Sequence, residues 1–247
     1  MSVFQTSGKA ASQGGDTSQI NRINDVAVRT GHLVLLRHGE TAWSVSGQYT
    51  GRTDLPLTDV GERQAVEAGA RIRKAYPEGF GSHVWCSALT RAMQTARNAG
   101  FGEAQECPGL LEWDYGRAEG RTRGQLGETI GRVWNLWRDG TEVFGPELDG
   151  DRMEILPSGQ QMSIHNAPGE TIEQVAARAA QVVQEVLPVI MDGQDVLLVA
   201  HAHILRVLTT QWLGIDPHMA KMLRLDTAHY SSLGMYKGDR VIEHWNL

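Results

Sequence analysis

Gly31-His32-Leu33-Val34-Leu35-Leu36-Arg37-His38-Gly39-Glu40-Thr41 changes character halfway along its length. His32 to Leu36 is a short, almost continuous apolar run. That pattern suits a parallel strand covered on both faces, because a strand with one wet side would alternate. The chain then turns abruptly to charged and small residues. Two further segments repeat this grammar: Asp195-Val196-Leu197-Leu198-Val199-Ala200 runs into His201-Ala202-His203, and His83-Val84-Trp85-Cys86 runs into Ser87-Ala88-Leu89-Thr90-Arg91. Helical signals lie between the strands. Thr58 is an N-cap for a helix with Ala65, Ala68, Ile72 and Ala75 on one face, ended by Pro77 and Gly79. Leu89 to Ala99 reads as a helix stopped at Gly100. Ile172, Val175, Ala176, Ala179, Val182, Val183 and Val186 make the apolar stripe of another. His203 to Leu213 is a fourth, ended by Gly214. Ser232 to Tyr236 and Val241 to Trp245 read as two closing strands joined at Lys237-Gly238-Asp239. Strands alternating with helices predict an α/β fold, a three-layer α/β/α sandwich around a mostly parallel sheet.

The remaining segments are less regular. Thr122 to Arg138 reads as one or two helices, with Trp134 and Trp137 three residues apart and assigned to core packing. Thr141 to Pro168 is rich in Gly, Pro and polar residues and long for a connection within a domain, so residues 141–168 are expected to form an inserted cap or lid over the pocket. Met1 to about Thr30 lacks periodic apolar positions and reads as a flexible arm. The expected organisation is an arm, 1–30, and one folded domain, 31–247, that contains the insertion.

At 247 residues, with 41% hydrophobic and 21% charged, the chain can bury a sizeable core. A net charge of -6 with no basic stripe argues against nucleic-acid binding. An acidic chain that binds an anion must concentrate its positive charge locally, so clustered arginines are informative. Cys86 and Cys107, the two cysteines, match no zinc spacing and read as free thiols. No run is apolar for the length of a membrane span and no secretory leader is evident, so a cytoplasmic protein without a membrane partner is expected. Homo-oligomerisation stays open.

Ligands of such sheets sit beyond the carboxyl ends of the strands. There the three strands deliver Arg37-His38, Arg91 and His201-Ala202-His203 to one edge, provided that they are adjacent and parallel. This set suits phosphoryl transfer. Arginine offers permanent charge and paired donors, and a neutral imidazole can attack phosphorus. Neighbouring guanidinium groups favour that neutral form. An acid is needed to protonate the leaving oxygen. Glu112 is the candidate, with Asp114 and Glu119 close by in sequence. His201 and His203 could suggest a metal pair, but no third ligand is placed to join them, so no metal or cofactor is expected.

Arg37-His38-Gly39-Glu40-Thr41 resembles the signature of the histidine phosphatase superfamily, the phosphoglycerate-mutase-like proteins. Gly47-Gln48-Tyr49-Thr50-Gly51, Leu55-Pro56-Leu57-Thr58, Ser87-Ala88-Leu89-Thr90-Arg91-Ala92, Gln94-Thr95-Ala96, Glu112-Trp113-Asp114-Tyr115-Gly116, Gly169-Glu170-Thr171 and Ala200-His201 follow in that family's order. The resemblance spans Gly31 to the C-terminus apart from the insertion. It implies that His38 is the nucleophile, that Arg37 and Arg91 bind phosphate, and that His201 completes the phosphate pocket. It implies that Glu112 is the general acid and then the base. Ser44, Thr50, Gly51 and His203 are placed at the substrate. Ser44 stands where many members carry Asn, and Ala202 where they carry Gly.

The implied reaction is phosphomonoester hydrolysis through a phosphohistidine. Phosphoglycerate mutation and a silent phosphate-binding module are the alternatives. Tyr115-Gly116-Arg117-Ala118-Glu119-Gly120 is similar to the phosphatase branch, and no paired-arginine segment of the mutase kind follows. The stretches 43–51 and 134–140 resemble sedoheptulose-bisphosphatase-type enzymes and small bacterial acid phosphatases, which implies a small phosphorylated metabolite such as a sugar phosphate. Arg138, Arg152 and His165, in or near the insertion, are candidates for meeting a second anionic group, with a solvated surface as the plainer reading.

Overall fold

The computed structural model describes residues 30–247; nearly all of the expected N-terminal arm lies outside the described residues. The strands are β1 (Leu33–Arg37), β2 (Val84–Cys86), β3 (Gln105–Glu106), β4 (Gly150–Ile155), β5 (Gln161–Asn166), β6 (Val196–Ala200), β7 (Tyr230–Tyr236) and β8 (Asp239–His244). The helices are α1 (Ala42–Ser46), α2 (Asp59–Ala75), α3 (Thr90–Asn98), α4 (Arg123–Ile130), α5 (Leu136–Asp139), α6 (Ile172–Met191) and α7 (Ala202–Leu213). Six strands make one sheet in the order β3-β2-β6-β1-β7-β8, and β4 pairs with β5 apart from it. The first four are parallel, and β7 closes antiparallel against β1. The α/β expectation holds, and the three strands that carry the candidate residues lie side by side.

Strand geometry explains why their sequences are apolar throughout. Successive side chains point to opposite faces. Leu33 and Leu35 of β1 join Val196, Leu198 and Ala200 of β6 in the core covered by α6 and α7. Val34 and Leu36 join Leu197 and Val199 in the core under α2 and α3. Each run therefore serves two cores at once. The stripe read along Ile172 to Val186 is buried as expected. Thr58 caps α2, although Ala75, at the end of that helix, is exposed. The closing hairpin turns through Lys237 and Gly238, both with positive φ, and Asp239 already pairs with Tyr236. That pair of left-handed residues matches the right-handed twist of the strands it joins.

The middle of the chain differs from expectation in two places. Trp134 precedes α5 instead of lying on a helix with Trp137, but it is wholly buried as a core residue, with its indole N–H on the Gly140 carbonyl at 2.9 Å. None of residues 141–168, the expected inserted segment, lines the principal cavity. The core of that segment is the β4–β5 hairpin, whose Leu156 and Ile164 pack on Trp43 and Leu55. The hairpin thus packs on Trp43 of α1, which lines the cavity.

Candidate active site

A cavity of about 240 Å³ opens at the carboxyl ends of β1 and β6, lined by fourteen residues that include Arg37, His38, Ser44, Thr50, Glu112 and His203. Each side chain arrives there for a local reason. His38 follows β1 directly, and its backbone N–H donates to the Ala200 carbonyl at 2.9 Å, which extends the β1–β6 pairing by one residue. Its ring lies 2.7 Å from the Gly39 carbonyl through Nδ1. A carbonyl can only accept, so Nδ1 carries the proton and Nε2 keeps its lone pair. Burial, then Arg37 and Arg91, hold the imidazole well below its ordinary pKa. His38 is therefore a neutral base with its free nitrogen defined.

The two arginines play different parts. Arg37 spends one N–H on the Leu225 carbonyl at 2.7 Å, while its buried Nε–H has no partner among the described residues. An orphaned buried guanidinium donor is costly unless an anion arrives to meet it. Arg91 is fully buried and is not among the residues that line the cavity. Its Nε–H donates to His201 Nδ1 at 3.0 Å, and its terminal nitrogens donate to the carbonyls of Thr50, Gly51 and Thr53. Arginine can only donate, so His201 Nδ1 is unprotonated and its Nε2–H donates to Ser87 Oγ at 2.8 Å. The His201 ring sits 5.2 Å from that of His38, and burial with the nearby arginines keeps it neutral. Both of its nitrogens serve the protein, so here it braces Arg91.

Glu112 is only 3% exposed. Helix α7 begins at Ala202 with His201 as N-cap and no side-chain cap of its own. Glu112 fills that role from a distance. Its carboxyl accepts from the N–H groups of His203 (3.1 Å), Ile204 (2.8 Å) and Trp113 (2.9 Å). Free N–H groups in the first turn of a helix attract such an acceptor. Asp114 and Glu119 do not reach the cavity. Asp114 accepts from the Gly116 N–H, and Glu119 accepts from the N–H groups of Gly51 and Thr53 below the loop. Among the three carboxylates near this turn, Glu112 alone lines the cavity.

Of the expected substrate contacts, Ser44 and Thr50 line the cavity, and Ser44 also completes the capping box of α1 with Thr41. Gly51 does not line it. Its N–H belongs to Glu119 and its carbonyl to Arg91, and a Cβ there would fall 2.5 Å from the Trp113 carbonyl, so the position demands glycine for packing. His203 lines the cavity with Nδ1 against the Tyr115 hydroxyl. Burial, Arg206 and Arg37 hold it neutral. Ala202 is also in the lining. Arg138 is tied to Asp139, Arg152 to Glu154, and exposed His165 to Asp151; none reaches the cavity. Sequence reading gave no individual role to Thr41, Gln48, Tyr49, Tyr115 or Arg123, which all line it, as does Trp43, one of the tryptophans read as possible walls of a site. Their quoted motifs marked Gln48, Tyr49 and Tyr115 as fixed positions; nothing in the sequence pointed to Arg123.

Among the described residues no helix is long and apolar enough to cross a membrane, and no three His, Cys, Asp or Glu side chains gather as a metal site. Residues 33–247 match the family model of the histidine phosphatase superfamily, branch 1. An acid phosphatase of Mycobacterium tuberculosis is 34% identical over 218 residues, covering 88% of this chain and 93% of its own. Sedoheptulose 1,7-bisphosphatase of Saccharomyces cerevisiae is 29% identical over 75% of this chain and 69% of its own. The 2,3-bisphosphoglycerate-dependent phosphoglycerate mutase 2 of Latilactobacillus sakei is 31% identical over 72% and 82%. A solved Mycobacterium tuberculosis protein, 33% identical, superposes with a TM-score of 0.72 over 89% of this chain and 98% of that one.

Proposed function

The chain belongs to the histidine phosphatase superfamily, and from that premise, with an acid phosphatase among its relatives, we propose that it is a phosphatase that hydrolyses phosphate monoesters through a phosphohistidine on His38. One observation carries the reading: the His38 proton is pinned at Nδ1 by the Gly39 carbonyl, on a cavity that Arg37 and Glu112 also line. In the first step Nε2 bonds to phosphorus as the ester P–O bond breaks, and Glu112 gives its proton to the departing oxygen. The positive charge left on the ring is stabilised at Nδ1–H by the Gly39 carbonyl. In the second step water yields a proton to Glu112 as its oxygen takes the phosphoryl group, and His38 leaves neutral. The sum is monoester and water to alcohol and inorganic phosphate. Arg37 grips the phosphoryl oxygens, and Arg91 with His201 supplies charge and rigidity, since such catalysis is mostly positioning and electrostatics.

The substrate we assign is a small sugar phosphate or a related metabolite. Thr41, Ser44, Gln48 and Thr50 offer polar contacts beside the rings of Trp43, Tyr49 and Tyr115, and the yeast relative is named for a sugar bisphosphate. A panel of phosphorylated metabolites scored by released phosphate tests this. His38→Ala is expected to abolish both turnover and an acid-labile labelled intermediate; full turnover in that variant sinks the mechanism. EDTA should leave the rate unchanged. With 3-phosphoglycerate and its bisphosphate primer, phosphate release should outrun isomerisation, and the reverse would make the protein a mutase.

A further inference from the structure

We infer that Arg178, on α6 and outside the cavity, is the positioning residue that aims the Glu112 carboxyl at the leaving group. Residues 111–115 belong to no helix or strand, so no regular ladder fixes the backbone that carries Glu112. Arg178 does this instead. Its five N–H groups are all committed. Two go to Glu170, from Nε at 2.8 Å and from the second terminal nitrogen at 3.0 Å. Three go to the carbonyls of Gly109 (2.8 Å), Leu111 (2.6 Å) and Glu112 itself (3.0 Å). Glu170 in turn accepts from the Asp114 N–H at 2.9 Å, two residues beyond Glu112. The Arg178–Glu170 pair thus holds the turn on both sides, and Arg52 joins it through Glu170 at 3.4 Å and Asp114 at 3.5 Å.

Lysine cannot replace this fork, because an ammonium has three donors and no plane. The Glu112 carboxyl is held from the other end by the first turn of α7. With the backbone clamp gone, those two N–H bonds hold the carboxyl to α7 while its Cα drifts. The oxygen that must meet the leaving oxygen then loses its aim. Proton donation is sensitive to this, whereas attack by His38 is not, because His38 is fixed by β1 and β6.

The inference rests on the hydrolase reading, and leaving-group dependence separates the two. Phenyl phosphate needs a proton at its departing oxygen; 2,4-dinitrophenyl phosphate does not. The quantity to follow is kcat/KM, which reports transfer to the enzyme. Arg178→Lys and Arg178→Gln are expected to slow phenyl phosphate by roughly 10- to 100-fold, part of the full value of general acid catalysis, and 2,4-dinitrophenyl phosphate by about threefold or less. Glu112→Gln sets the limit of the same selective loss. Should the Arg178 variants fail to fold, Glu170→Gln removes half of the clamp and is expected to show the same selectivity in smaller degree. Equal slowing of both esters, or slowing of neither, overturns the positioning role. If His38→Ala hydrolyses both esters at the normal rate, the hydrolase reading itself has failed, whatever Arg178 does.

Discussion

At the scale of single residues, the site turns on which histidine nitrogen holds the proton and how strongly the protein resists a second one. His38, His201 and His203 are all held well below the ordinary histidine pKa of about 6.5, by burial first and by arginines next. A lowered pKa keeps the nucleophile neutral further into acid. The acid limb of kcat/KM for p-nitrophenyl phosphate is therefore expected to fall below pH 6.5, and a loss of activity centred near 6.5 would contradict a neutral buried His38. The same shift has a cost of fixed sign. Between the folded pKa values and 6.5 the unfolded chain binds more protons than the folded one, so stability is full above 6.5 and is lost as pH falls through that window. Urea midpoints measured from pH 7.5 to 5 should decline accordingly, and a flat profile would mean that these rings titrate normally. The sequence revealed these residues through their motifs. It did not reveal that Arg91 and His201 are fully buried outside the cavity lining, or that Gly51 is glycine for want of space beside the Trp113 carbonyl. Those facts depend on contacts between segments far apart in the chain.

At the scale of elements, the β4–β5 hairpin supplies two strands that the sequence reading did not assign. Its polar residues and glycines read as an inserted cap or lid, because an exposed two-stranded ribbon lacks the continuous apolar run of a strand covered on both faces. Its position shows what it does for the pocket. Glu154 Oε1 accepts from the Trp43 indole N–H at 3.1 Å and from Gln48 Nε2 at 2.8 Å, two residues of the cavity wall. Arg152 joins Glu154 to the Glu119 carbonyl, next to the loop that carries Thr50 and Gly51. Glu154→Ala should therefore loosen the wall without touching the phosphate end. KM for glucose 6-phosphate, or for the best substrate of the panel, is expected to rise about fivefold, the equivalent of about 1 kcal/mol for a lost hydrogen bond. The kcat/KM for p-nitrophenyl phosphate should hold steady. A parallel collapse of both substrates would mark the hairpin as structural support for the whole site.

At the scale of the whole molecule, the fold was legible because its central strands are apolar on both faces, a pattern that water penalises unless helices cover the sheet from both sides. Strand order was not legible, because it depends on which crossover packs where, and short apolar runs carry no address. β6 sits between β1 and β2 and sends Leu198 to one core and Leu197 to the other, both fully buried. The two cores are thus separated by a single layer of backbone that neither can give up. Leu198→Ala should destabilise the protein by about 2–5 kcal/mol, the usual cost of emptying a leucine site in a packed interior. Leu197→Ala should cost a similar amount from the opposite face. If the sheet couples the faces, each variant lowers the urea midpoint of one sigmoidal transition with an unchanged slope. Intrinsic tryptophan fluorescence and far-UV circular dichroism should then report the same midpoint, since Trp113, Trp134 and Trp212 all lie in the core under α6 and α7. A Leu197→Ala protein whose tryptophan signal holds its midpoint while its helical signal splits in two would show that the faces unfold separately. In that case the His38 loop, which leaves the sheet at its centre, would have to draw its rigidity from one face alone.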